Sequence, residues 1–201
     1  MRSIFDFVIK PKKSRYQNTK QVGDKELILN TEIFNHQYVS KEATVIGTPT
    51  TLDTPIKIGD DVIVHHNIFR RWHNVRGDEK NSRNYISEDT YLCQPEQLYL
   101  YKQNGKWIPQ KGFCFVKPLE NKDVFSIDRE KPLIGILKYA SDDLNVLGLN
   151  ENDLVGFSPY SEFEFVIDGE RLYRVLTNSI TIKYEYQGQE KEYNPSWVQS
   201  S

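Results

Sequence analysis

Phe7-Val8-Ile9-Lys10-Pro11 is a short apolar run closed by a basic residue and a proline, and Cys114-Phe115-Val116-Lys117-Pro118 repeats its plan in the second half of the chain. Such a run reads as a strand, because its residues are apolar and β-prone and the proline cannot donate to a ladder. Three further blocks recur in the same order. Thr44-Val45-Ile46-Gly47 is answered by Gly135-Ile136-Leu137-Lys138, the run from Ile56 to Val64 by that from Leu147 to Phe157, and the run from Tyr91 to Leu100 by that from Leu172 to Ile182. Four blocks in one order, twice, predict a duplicated unit. Each copy reads as strand, variable segment, strand, turn, strand, hairpin, strand, tight turn and closing strand.

The rest of the composition agrees with β structure. Apolar residues fall in short runs bounded by Gly, Pro, Asn and Asp, and aromatics reach 12 %, which favours strands over helices. At 201 residues the chain is long enough for two small cores. A net charge of −2 gives no global pull toward nucleic acid or an anionic membrane. No apolar run approaches the length of a membrane span and no leader pattern opens the chain, so a soluble, unexported protein is expected. Cys93 and Cys114 each lie in strand-like patterns and read as free buried thiols in a reducing compartment.

Between the first two strands of copy one runs a long, mostly polar segment, residues 12–37, with three adjacent apolar residues, Leu27-Ile28-Leu29. Connections of that length inside compact domains are uncommon and are usually functional or disordered. It reads either as a surface loop whose Leu-Ile-Leu folds back as a short strand, or as a tethered apolar hook for a partner. Its flanks, Lys12, Lys13, Arg15, Asn18, Lys20, Asp24, Lys25 and Asn30, are expected to keep it solvated. Copy two spends only residues 119–132 at the same place, where Val124-Phe125-Ser126-Ile127 reads as a packed strand or the remnant of a hook.

This block order resembles the GroES-type co-chaperonin family. The central element of that family is best matched by Ile56-Lys57-Ile58-Gly59-Asp60-Asp61-Val62-Ile63, and its closing motif by Ile167-Asp168-Gly169-Glu170-Arg171-Leu172 with Ile180-Thr181-Ile182. The resemblance implies an all-β chain of two tandem, partly closed GroES-like barrels. Their expected bounds are 1–104 with a mobile loop at 12–37, a linker at 105–111, 112–186 with a shortened loop, and a polar, partly loose tail at 187–201. It also implies a homo-oligomeric ring that caps a GroEL-type chaperonin in the cytoplasm, with Leu27, Ile28 and Leu29 making the contact. So few residues separate Gly47 from Gly59 that the roof hairpin of bacterial members is missing, as in phage-encoded members. A seven-fold target favours a heptamer, with first copies toward the chaperonin and second copies in another tier.

Other constellations lead less far. His65, His66 and His73 stand in an insertion, residues 65–84, with Arg70, Arg71, Trp72, Arg76, Lys80 and Arg83. Without cysteine or a well-spaced carboxylate, a solvated polar hairpin is expected there ahead of zinc. Acidic residues interrupt the basic stretch, which argues against nucleic acid. The paired acids Asp60-Asp61, Glu88-Asp89 and Asp142-Asp143 are explained by turn chemistry. No G-x-G-x-x-G occurs among the 11 glycines, so a dehydrogenase built on this barrel is not indicated. No enzyme activity, metal or cofactor is expected. The rival reading is a structural or adaptor β-barrel protein, such as a phage virion or assembly component.

Overall fold

The computed structural model describes residues 3–16, 19–22, 25–28, 38–122, 129–185, 188 and 190–193, with backbone alone at 19–22 and 25–28. The chain is all-β. It divides into two compact units, residues 1–106 and 107–201. Among the described residues no helix is long and apolar enough to cross a membrane.

The first unit contains β1 (Phe7–Pro11), β2 (Thr19–Val22), β3 (Lys25–Ile28), β4 (Glu42–Gly47), β5 (Asp61–Val64), β6 (Arg71–His73), β7 (Glu79–Asn81), β8 (Tyr85–Ser87), β9 (Thr90–Cys93) and β10 (Leu98–Gln103). β11 (Lys106–Pro109) follows, so part of the segment expected to be a linker is a strand. The main sheet runs β11-β10-β5-β4-β1-β9-β8, while β2-β3 and β6-β7 form separate two-stranded ribbons. The second unit contains β12 (Phe113–Glu120), β13 (Glu130–Tyr139), helix α1 (Asp142–Val146), β14 (Leu154–Phe157), β15 (Phe163–Ile167), β16 (Glu170–Leu176) and β17 (Ile180–Tyr184). Its sheet runs β15-β16-β12-β13-β14-β17. Neither order closes on itself among the described residues.

Taken in reverse and without its terminal strand β11, the first order is β8-β9-β1-β4-β5-β10, which is the second order strand for strand. The duplication extends to the hydrogen bonds. Both first strands are irregular at the same place, between Val8 and Ile9 against β4 and between Phe115 and Val116 against β13. In copy one, the Val45 N–H donates to the Asp60 carbonyl (2.9 Å) and the Gly59 N–H to the Val45 carbonyl (2.8 Å). In copy two, the Leu137 N–H donates to the Asp153 carbonyl (2.9 Å) and the Asn152 N–H to the Leu137 carbonyl (2.7 Å). Gly59 and Asn152 both have positive φ, 97° and 71°, which suits the two residue types that enter the left-handed region most readily.

These pairings correct one correspondence. Val45 faces Ile9 as Leu137 faces Val116, so Thr44 matches Ile136 rather than Gly135. The residue that matches Gly135 is Ala43, opposite Pro11 as Gly135 is opposite Pro118. A Cβ at Gly135 would stand 2.4 Å from the Lys117 carbonyl oxygen, so the crowding there admits only glycine.

Each unit has its own core. Strand β4 alternates half-buried and buried residues, so one face is inward, as a half-covered antiparallel sheet requires. The first core gathers Phe7, Ile9, Val45, Val62, Val64, Phe69 and Tyr91. The second gathers Cys114, Val116, Leu137, Leu144, Val155 and Val175. Cys93 and Cys114 are free and buried, and burial pushes the Cys114 thiol up to about 12 and the Cys93 thiol higher still. Trp107 is buried and its indole N–H donates to Asp168 (2.8 Å) within the second unit. The segment expected to be loose is held at 191–193. There the Glu120 N–H donates to the Lys191 carbonyl (2.8 Å) and the Tyr193 N–H to the Pro118 carbonyl (2.9 Å).

Candidate functional site

The long connection of copy one leaves β1 and returns into β4, so its root lies between two adjacent core strands. A ladder closes that root. The Lys12 N–H donates to the Glu42 carbonyl (3.1 Å), the Ser40 N–H to the Arg15 carbonyl (3.0 Å), and Tyr16 bridges Val39. Lys12 also reaches Asp61 (2.9 Å) and Glu42 (3.6 Å). The hydrogen bond to Asp61 raises this lysine above its ordinary value.

Arg15 was expected in the solvating polar flank, and its side chain points the other way. Its Nε donates to the Phe69 carbonyl (2.5 Å) and its Nη2 to the Arg70 carbonyl (3.4 Å). The guanidinium lies 5.7 Å from the Tyr85 ring centroid and 5.4 Å from that of Tyr91. Burial lowers its pKa, but a guanidinium stays charged at any physiological pH. Tyr16 is buried and its phenol oxygen accepts from the Arg71 N–H (2.8 Å), while the Arg71 guanidinium covers the Tyr16 ring at 4.9 Å. The backbone of the insertion, at residues 69–71, thus clamps the root of the long connection. The outer part of the insertion is the polar β6-β7 hairpin, held by Arg71–Glu79 (2.9 Å) and by the side chain of Asn74 across the turn. His65 is used locally, its Nδ1 accepting from the Asn67 N–H (3.1 Å) and its ring stacking on His66 at 4.5 Å.

Farther out, β2 and β3 pair Thr19 with Ile28, Lys20 with Leu27, Gln21 with Glu26 and Val22 with Lys25. Leu27 and Ile28 therefore end one arm of a short ribbon. Leu29, and with it most of the return segment, lies outside the described residues, as do residues 124–127 of copy two.

Copy two closes its shorter connection by related chemistry. β12 and β13 continue pairing out to Glu120 and Glu130, and the Asn121 N–H donates to the Arg129 carbonyl (2.8 Å). Beside them Arg171, 8 % exposed on its side chain, binds Glu130 (2.6 Å) and Glu164 (2.8 Å). Burial works against its charge, and its hydrogen bonds to the two glutamates outweigh that and raise its pKa. Its guanidinium lies 4.8 Å from the Tyr173 ring centroid. Tyr173 faces Val116 as Tyr91 faces Ile9, so an arginine covers the matching tyrosine in both copies, although Arg15 comes from the long connection and Arg171 from β16. Sequence reasoning missed Arg15 and Tyr16, because the groups they bind at residues 69–71 lie far away in the chain, and Arg171, whose partners Glu164 and Glu130 stand on other strands. The signal that was available is an Arg-Tyr pair inside a stretch otherwise rich in amides and lysines.

No family model and no curated protein matches this chain.

Proposed function

We propose that the chain is a co-chaperonin of two tandem GroES-like barrels, which caps a GroEL-type chaperonin through Leu27, Ile28 and Leu29 and so supports ATP-dependent protein folding. The observation that carries this reading is the shared strand order of the two units, of which only the first displays a long connection with a clamped root. A pinned root with an apolar triplet beyond it suits a docking segment.

The energetics suit a removable lid. Burying three aliphatic side chains contributes roughly 1.5–3 kcal/mol each, and ordering the residues around them costs about 1–2 kcal/mol apiece. A single segment would then bind at about millimolar strength. Several segments on one homo-oligomeric ring, seven in the favoured arrangement, gain about 10²–10⁴ through effective concentration. The chain itself acts without catalysis or cofactor, in the cytoplasm of its cell or, if phage-encoded, of the host.

Electron microscopy and an ATPase assay test this together. A seven-membered ring that caps a GroEL-type chaperonin in the presence of ATP and slows its ATPase is the expected outcome, with both effects lost in Leu27→Asp or Ile28→Asp. A monomer, or full capping by both variants, would refute it. Co-purification with virus particles, unaffected by these substitutions, would favour the structural reading.

A further inference from the structure

The first unit holds an open cleft of about 510 Å³ that the docking reading does not use. Its walls come from the insertion and from the turns before β8 and β10, and include Asn67, Arg70, Trp72, Arg83, Asn84 and Gln97. The volume lies within the range of small-ligand sites. Among the described residues no carboxylate lines the cleft, and neither Arg70 nor Arg83 makes an ion pair. Two arginines without a carboxylate partner in a polar cleft suit an anion that arrives from outside.

The floor is preorganised. Asn84 is 7 % exposed, and its amide donates to the Leu92 carbonyl (2.9 Å) and to the Gln97 side-chain oxygen (2.9 Å). The Gln97 oxygen also accepts from the Gln94 N–H (3.1 Å), which fixes that carboxamide so that its nitrogen is the end left to donate. Two guanidinium groups and the amide nitrogen of Gln97, with no competing acid, match the forked geometry of an oxyanion. Trp72 is 46 % exposed and adds a flat apolar surface.

We propose that this cleft binds a small molecule bearing phosphate or carboxylate oxyanions, held between Arg70 and Arg83 beside the amide nitrogen of Gln97, which Asn84 keeps in place. The test is calorimetric titration of the full-length protein with pyrophosphate and, separately, with citrate, at constant ionic strength. One saturable site per chain is expected with at least one probe. Binding to pyrophosphate alone assigns phosphate, to citrate alone carboxylate, and to both a site read by charge and size. Losing one charge-assisted contact should weaken binding about tenfold or more, so Arg83→Gln, which alters an exposed residue, is the decisive variant. Arg70→Gln should act in the same direction. Arg76→Gln, at the hairpin turn outside the cleft, should leave affinity within about twofold, well under the 1.4 kcal/mol of a tenfold change. The proposal is overturned if neither probe saturates at millimolar concentration, if Arg83→Gln binds unchanged, or if Arg76→Gln weakens binding as much as Arg83→Gln.

Discussion

Asp60 and Asp153 occupy matching turns, and truncating each to alanine should cost its unit about the same. The Asp60 carboxylate accepts from the Lys57 N–H (2.9 Å) and from Gln103 Nε2 (2.9 Å). The Asp153 carboxylate accepts from the Asn150 N–H (2.7 Å) and from Lys183 Nζ (2.6 Å). A hydrogen bond to a charged group is worth roughly 1.5–3 kcal/mol. Both turns are partly exposed, so water recovers part of that, and a surface ion pair such as Lys183–Asp153 adds at most about 1 kcal/mol. The expected loss is therefore about 2 kcal/mol per site. For a unit of this size it lowers the melting temperature by about 8–16 °C, at about 4–8 °C per kcal/mol. Hydrogen exchange locates the damage. Asp60→Ala should expose the amides of Val45 and Gly59 only, and Asp153→Ala those of Leu137 and Asn152 only. The double variant should show the sum, because the sites share no partner. If one substitution costs its unit less than about 0.5 kcal/mol while the other costs about 2 kcal/mol, well outside ordinary surface scatter, the two turns are not equivalent and the duplication does not reach down to single hydrogen bonds.

Three further outcomes are expected. Gly135→Ala should destabilise the second unit by about 3 kcal/mol, since the new methyl meets backbone at Lys117 that cannot yield; a denaturant midpoint unchanged from the parent would refute the crowding. Arg171→Ala should cost about 3–5 kcal/mol by leaving Glu164 and Glu130 without their cation, whereas Arg171→Met with Glu164→Leu should restore most of it. Equal denaturant midpoints for the single and double variants would count against that account. Acid should weaken the second unit through Asp143 and Asp153. Burial opposes their ionisation, but the hydrogen bonds from Ser141 and Thr177 to Asp143, and from the Asn150 N–H and Lys183 to Asp153, outweigh it and hold both below the usual carboxylate value. Their contribution is present above about pH 4 and is lost as pH falls through the depressed values. Asp143→Asn and Asp153→Asn should flatten a stability profile measured from pH 5 to pH 2, and a profile as steep as the parent's would contradict this.

Much of the fold was legible because its punctuation is local. Pro11 ends β1, although the matching Pro118 does not end β12, which pairs on to Glu120, and Gly59 with Asp60 encodes a turn by its own backbone preference. The slip of one residue at Gly135 has a physical source. Ile136 and Leu137 are adjacent and both buried, so alternation alone does not say which of them matches Val45, and Thr44 appeared to match a glycine that in fact matches Ala43. The root of the long connection was less legible. Arg15 looks like any solvated cation until the chain folds and brings the carbonyls of Phe69 and Arg70 to it. Only long-range packing turns a polar flank into a clamp. The ribbon of β2 and β3 was half visible, since one of the two readings folded Leu27-Ile28-Leu29 back as a short strand, but the surrounding amides and lysines masked the alternation of its partner.

The bridge between Tyr16 and Val39 also sets a leash. Residues 17–38, 22 in all, lie between the two anchored ends. At about 3.4 Å per fully extended residue, half of them going out and half returning, no atom of the backbone can travel farther than about 37 Å from the stem. Any acceptor groove must come within that radius, and a more distant one could be reached only by tearing Arg15 from its carbonyls. How far a partner surface stands from this stem therefore decides whether engagement leaves the first sheet intact or begins to unravel it.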